Sequence, residues 1–403
     1  MTQPASWDLR RSVAPLGLFY ACLYASVGIT MPFLPQHMKA LGLSGTDLGL
    51  LMAAYPLMQV LVPPAAGFVA DRTRRGALLL SLLTFGHALA FVPLLFATTR
   101  AAIAPWLTVA AVCIAPLSML ADSLTLERLG PDSAQYPRVR LWGSLGFVAT
   151  TLAFGAFWTG ERPATASAPP VVLAAIAAAT VAFGASLLVR GRGGAGNVHL
   201  SEAPAILRDP RMRRLVAATS LHWLAFAPHN LMFAVYLESL GHSPWITSLG
   251  LALGVLAEVS VMALFPRFGR RFAPRHILAV AFAAAAVRWL LVALSRGAVV
   301  LVLLNLLHGL AFGAFMVSSV TYVNDLAPTR LRATAQALFV SLTYGVGGFL
   351  GYVLVGRLFD LFEPRQVFMA AAVLEVVPFL LSLRLPDPRK AVERVLGFPE
   401  VTP

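Results

Sequence analysis

The chain has 403 residues, 58% of them hydrophobic and only 12% charged, with a formal net charge of +13. Soluble domains carry about 25% charged residues, so this composition excludes an ordinary globular protein and points to one that lives in lipid. The basic residues are spread through short segments between apolar runs rather than gathered into one patch, which excludes a nucleic-acid partner as their explanation.

A helix that crosses a bilayer needs roughly 20 apolar residues. Twelve such runs occur, at 13–36, 46–70, 77–97, 102–126, 138–160, 170–189, 214–238, 244–266, 276–295, 298–323, 332–356 and 366–384. Backbone amides in hydrocarbon must be satisfied within the segment, so these runs are read as helices. The opening "MTQPASWDLRR" has no leader-cleavage pattern, and the run behind it is too long for a leader core, so it is read as span 1. With the N-terminus cytoplasmic, 24 of the 31 Lys and Arg fall on the cytoplasmic side and 6 on the other, with Arg288 alone in mid-span. The positive-inside rule then places both termini in the cytoplasm.

In chain order, Cys22 and Cys113 fall inside apolar runs, with no zinc-type spacing and no basis for a disulfide. The turn after span 2, "GFVADRTRRG" (67–76), combines Gly67, which permits close helix approach, with Asp71, which can accept from helix-end amides or a neighbouring arginine and latch the cytoplasmic side. Span 4 carries Asp122 and span 5 opens on "YPRVRLWGSLGF", with Arg138 and Arg140 at its mouth. Ionisable groups at the bilayer centre cost about 2.5–3.5 kcal/mol on insertion scales, so they persist by pairing and facing a cavity. Asp122 and Arg140 lie at similar depth on antiparallel neighbours, which suits an ion pair; Arg138 is expected to snorkel to the interface. The stretch 190–213, rich in Gly, Pro and Arg, reads as a cytoplasmic linker between an N-terminal bundle (1–189) and a C-terminal bundle with a short tail (214–403). Spans 8, 9, 10 and 12 bring Glu258, Arg288, His308 and Glu375; Glu258 and Arg288 share a hairpin and are a second candidate pair. Glu375 reads equally as cavity-lining or packed against span 11, and His87, His222 and His229 as rings satisfied by backbone carbonyls. Asn230 and Asn305 read as links between helices.

The two halves echo each other at an offset near half the chain. "LPQHMKALGLSGTDLGLL" (34–51) is matched by "LESLGHSPWITSLGLAL" (237–253), "GFVADRTRRG" by "FGRRFAPR" (268–275), and the Asp122/Arg140 hairpin by Asp325/Arg332. Parallel six-helix repeats are the arrangement of major facilitator transporters, whose solute site lies near the midplane at the repeat interface. The chain resembles that superfamily from end to end. The resemblance implies an all-α membrane protein of twelve transmembrane helices in two six-helix pseudo-repeats. It also implies that Gly67, Asp71, Arg72 and Arg75 form its gating loop, although Arg74 stands where the superfamily usually has a second glycine.

"MPFLPQHM" (31–38), "QYPRVRLWGSLGF" (135–147), "AEVSVMALFPRFG" (257–269), the Val287-Arg288 pair and the "LLH" ending at His308 resemble lactose permease and its relatives, the nucleoside–proton symporters and the phenylpropionate permeases. The stretch 312–338 is nearest to the last group. On that pattern Asp122, Arg140 and Glu258 bind solute, while Arg288 and His308 belong to the coupling region. Two positions depart from it: Ala311 replaces a proton-carrying glutamate, and Phe147 replaces a tryptophan on which the sugar stacks. Phe147 can still stack on a ring. Glu258 is then the first candidate proton carrier, loaded and unloaded as Arg288 recedes and approaches.

The expectation is a secondary active transporter of a small organic solute (an aromatic acid, sugar or nucleoside), working by alternating access with proton symport. It would act as a monomer in the bacterial inner membrane, with no cofactor and no metal. A proton-antiport exporter is the alternative within the same class. No Walker loop is present to supply ATP drive, no HExxH or GxSxG motif suggests an embedded enzyme, and the longest loop of about two dozen residues leaves a transport-silent sensor little room for an output domain.

Overall fold

Runs of Leu, Ala, Val and Phe interrupted only by short polar turns leave the backbone one way to satisfy its amides in lipid. The computed structural model describes residues 6–158, 170–193, 203–328 and 331–386, which are helical with no strand among them. The helices are α1 (Ser6–Ala40), α2 (Gly45–Thr73), α3 (Gly76–Leu95), α4 (Arg100–Ile114), α5 (Leu117–Leu129), α6 (Tyr136–Phe157) and α7 (Pro170–Ser186). Beyond the central segment come α8 (Ala203–Arg208), α9 (Pro210–Ala227), α10 (Phe233–Ser239), α11 (Pro244–Arg271) and α12 (Pro274–Leu294). The last are α13 (Ala298–Leu326), α14 (Arg332–Leu361) and α15 (Pro364–Leu383). Among the described residues nine helical stretches are long and apolar enough to cross a membrane, one of them being the run Arg100–Phe157 that contains α4 to α6.

Three π-helical segments interrupt this pattern: Pro228–Met232 between α9 and α10, Gly309–Ala314 within α13, and Ser341–Val346 within α14. Such insertions widen one turn and concentrate at functional positions.

Contacts divide the chain into two units, and the division takes residues from both sides of the central segment. The first unit comprises Met1–Gly196, Ala227–Ala252 and Gly348–Pro364; the second comprises Asn197–Phe226, Leu253–Gly347 and Arg365–Pro403. In the first unit, a core of Phe33, Phe91, Leu107 and Trp158 is joined by Leu231 and Val355 from later in the chain. The ring of Phe33 meets those of Phe154 and Trp158 at 5.1 Å. Gln36 of α1 donates to Glu238 Oε2 (3.0 Å) and to the Ala234 carbonyl (3.2 Å) of α10. Asp360, near the end of α14, accepts from the backbone amides of Gly45 (2.6 Å) and Thr46 (2.7 Å), the first residues of α2. A few residues further along, the backbones of α2 and α14 touch: a Cβ placed on Gly356 would lie 2.7 Å from the Gly49 Cα.

The start of the expected linker is tied down. Glu127 accepts from the amides of Arg192 (2.9 Å) and Gly193 (2.8 Å), Arg128 donates to the Arg190 carbonyl (3.1 Å), and the Gly76 amide donates to the Arg192 carbonyl (2.6 Å). Further on, 203–208 is helical and Pro210 opens α9. The part of the linker at 194–202 and the tail beyond 386 lie outside the described residues.

The second unit is built around Leu215, Phe282, Phe315, Tyr322 and Phe339. Tyr322 ties the end of the described chain to this core by donating to the Pro386 carbonyl at 2.5 Å.

Candidate functional site

Each unit encloses a polar cluster in an otherwise apolar bundle. In the first unit, α1, α5 and α6 supply it. Tyr20 and Tyr24 stand one turn apart on α1. The Tyr20 hydroxyl donates to Asp122 Oδ1 at 2.5 Å, and Arg140 donates to the Tyr24 hydroxyl, which also pairs with Ser118 at 3.1 Å. The Arg140 guanidinium lies over both phenol rings, 4.2 Å from the Tyr24 centroid and 5.2 Å from that of Tyr20. Such stacking stabilises a partly desolvated cation by roughly 0.5–2 kcal/mol. Tyr136, in the first turn of α6, stands close enough to Asp122 to interact with it.

The expected ion pair between Asp122 and Arg140 is therefore mediated. The two charges stand within each other's field, but phenols satisfy each of them directly. Asp122 and Arg140 stand out in the sequence as charges in apolar runs, while Tyr20, Tyr24 and Tyr136 do not, because tyrosine in an apolar run looks like any other aromatic core residue. The spacing of the two α1 tyrosines was the signal available. Arg138 is exposed while Arg140 is half-buried, as their different helix faces suggested. Phe147, two turns further along α6, is buried at 8% exposure.

In the second unit the cluster joins α11, α12 and α13. Arg288 is wholly buried; it donates to Asn305 Oδ1 (2.7 Å) and lies 3.0 Å from His308 Nδ1. A guanidinium has only donors to offer, so His308 Nδ1 accepts and its ring proton resides on Nε2. That nitrogen faces Glu258 Oε2 at 3.7 Å. The direct Glu258–Arg288 pair expected from their shared hairpin is thus replaced by a relay, Glu258–His308–Arg288–Asn305. The physical reason is register: Glu258 meets α13 rather than α12, since Gly254 packs against His308 and Gly313 against Glu258.

A third constellation joins His222, expected to bond a backbone carbonyl, to Glu375, which the sequence reads equally as cavity-lining or packed against span 11. His222 of α9 and Glu375 of α15 are both fully buried, with His222 Nδ1 2.8 and 2.9 Å from the two Glu375 oxygens. His222 Nε2 meets the Ala311 carbonyl at 3.0 Å. The carbonyl partner matches expectation; the carboxylate does not. His87 follows expectation, bonding the Ala110 carbonyl at 3.0 Å. At the end of α2 and just beyond it, Gly67 is buried, and Asp71, Arg72 and Arg75 are exposed.

Long apolar helices that enclose charged clusters define the class: a multi-pass membrane transporter of the major facilitator type. Residues 14–370 match the MFS_1 like family, and the chain belongs to it. It is 28% identical to the maltose permease of Geobacillus stearothermophilus over 385 residues, covering 93% of this chain and 94% of that protein. It is 27% identical to the probable 3-phenylpropionic acid transporter of Escherichia coli K12, covering 76% of this chain and 81% of the relative. The crystal structure of the nucleoside transporter NupG superposes with a TM-score of 0.81 at 19% identity over 94% of this chain and 99% of that one, which shows a shared fold.

Proposed function

We propose that the protein carries a small, ring-bearing, polar solute across the bacterial inner membrane by alternating access, in symport with protons. In this reading the chain crosses the membrane twelve times, with both termini cytoplasmic. The observation that carries the solute class is the cluster on α1, α5 and α6. A guanidinium is laid on two phenols beside a compensating carboxylate, with Phe147 further along the same helix. Balanced charge favours a neutral molecule, the hydroxyl-rich rim favours one with several hydroxyls, and the aromatic floor favours a flat aromatic ring. A nucleoside combines all three features and a sugar two of them. An aromatic carboxylate is the second reading, favoured by Arg140 and by the likeness to a phenylpropionic acid transporter.

Asp122, Arg140, Phe147 and Glu258 bind the solute in this reading. Glu258, His308 and Arg288 link binding to proton movement, because the imidazole places its one N–H toward Glu258 and its lone pair toward Arg288. Gly67, Asp71, Arg72 and Arg75 form the cytoplasmic gate.

Thermal-shift titration of the purified protein with uridine, maltose and 3-phenylpropionate tests the solute class; uridine is expected to raise the melting temperature most, and Asp122→Ala to abolish that rise. A response to none of the three would discard the reading. In vesicles with an imposed pH gradient, Glu258→Gln is expected to lose accumulation.

A further inference from the structure

The coupling reading leaves one buried ionisable pair unused. His222 and Glu375 are 0% exposed and come from opposite ends of the second unit's sequence. Their proton inventory follows from the geometry. A carbonyl oxygen only accepts, so His222 Nε2 carries a hydrogen and donates it to Ala311. The other ring nitrogen faces both oxygens of Glu375 at 2.8 and 2.9 Å. One proton must lie between them, either on Nδ1 against a carboxylate or on the carboxyl against a neutral ring. With that proton gone, a lone pair would face an anion in a site lined by the rings of Phe226, Phe282 and Phe315, an arrangement that a low-dielectric interior strongly opposes.

The pair is also placed to feel the relay. The Ala311 carbonyl belongs to the π-helical turn Gly309–Ala314 of α13, directly after His308, which bonds Arg288 and faces Glu258. A Cβ on Gly309 would lie 2.7 Å from the Ala257 carbonyl oxygen, so the same turn rests on α11 beside Glu258. Glu375 itself marks a break in α15, between Pro364–Leu374 and Val376–Leu383. The groups that face the pair are His308, whose field reaches His222, and the Trp289 indole beside Glu375; Arg288 and Glu258 lie one step further along the relay.

Resting on the proton-symport reading above, we infer that His222 and Glu375 form the site that holds the coupled proton, with the π-turn of α13 as its release. A change of register at Gly309–Ala314 withdraws the Ala311 carbonyl from Nε2 and admits water. The shared proton then leaves to solvent, giving the Glu375 carboxylate and a neutral His222; protonation of that carboxylate from the opposite side restores the loaded pair. The site supplies the proton-binding carboxyl that Ala311 does not.

Two arms test this. Infrared difference spectroscopy of the full-length protein in liposomes, titrated with pH, reads the carboxylic-acid carbonyl and carboxylate stretching bands, so that loss of the shared proton registers from either side of the pair. The expected result is a titrating band in wild type that is lost in Glu375→Gln and shifted in pH by His222→Asn. An unchanged band in Glu375→Gln overturns the inference. In proteoliposomes with radiolabelled uridine, Glu375→Gln is expected to keep counterflow exchange and lose pH-driven accumulation, a split that a purely structural role would not produce. Full driven accumulation in Glu375→Gln overturns the assignment alone. Wild-type uridine transport indifferent to the gradient overturns the symport reading and, with it, the coupled role of the pair. Absence of uridine transport in wild type discards the solute, and the infrared arm still decides for or against Glu375.

Discussion

Arg74 ends α2 in the left-handed region, with φ 53. Its amide donates to the Ala70 carbonyl at 2.8 Å, the bond of a C-terminal cap that glycine usually makes. The residue departs from the superfamily's loop while the backbone keeps the glycine conformation, so the side chain carries a strain of about 1 kcal/mol. Arg74→Gly is expected to stabilise the protein by about that amount, partly offset by the freer unfolded chain, as read from the melting temperature. The polar clusters show a similar limit at single positions. Asp122, Arg140, Glu258, Arg288 and His308 were visible because a charge in an apolar run has no bland explanation in lipid. Tyr20, Tyr24 and Tyr136 were not, because a phenol is at home in a core until a partner is known.

At the scale of elements, the internal echo survives in the backbone. The turn after α1 places Gly42 at φ 85, with Gly42 N bonded to Lys39 O and Leu43 N to Met38 O. The turn after α10 places Gly241 at φ 81, with Gly241 N bonded to Glu238 O and His242 N to Leu237 O. Both are Schellman caps with the same bond spacing, so the repeated Leu-Gly of the sequence is a repeated helix stop. At the other end of that turn a tertiary cap is added to the local Ser44–Asp47 capping box. Asp360 comes from 314 residues away to hold the Thr46 amide, where the positive end of the α2 dipole favours an anion. Asp360→Ala is expected to cost about 1 kcal/mol and to speed hydrogen exchange at Gly45 and Thr46. Gly49→Leu, which forces apart backbones now in contact, should separate α2 from α14, read as a longer distance between spin labels on the two helices.

For the whole molecule, the distribution of basic residues carries a topological prediction. Epitope tags at the two termini should both resist an impermeant protease added to intact cells and both be cleaved in inverted vesicles; opposite behaviour of the two tags would remove the even number of spans. Membership of the family, the helical class and the membrane setting were legible at this scale, since each depends on averages over tens of residues. The contact-defined units were not, because Ala227–Ala252 and Gly348–Pro364 join the first unit through tertiary packing that no local composition encodes.

By itself the sequence determined that the chain is a bundle of lipid-crossing helices and which of its charged residues would be held inside, because solvation in hydrocarbon penalises every polar group by type. Only the tertiary structure decided the partners: phenols between Asp122 and Arg140, His308 between Glu258 and Arg288, and His222 against Glu375. Partnership depends on helix rotation and register, and at 1.5 Å of rise per residue a shift too small for any hydrophobic pattern to record sends a side chain to a different neighbour.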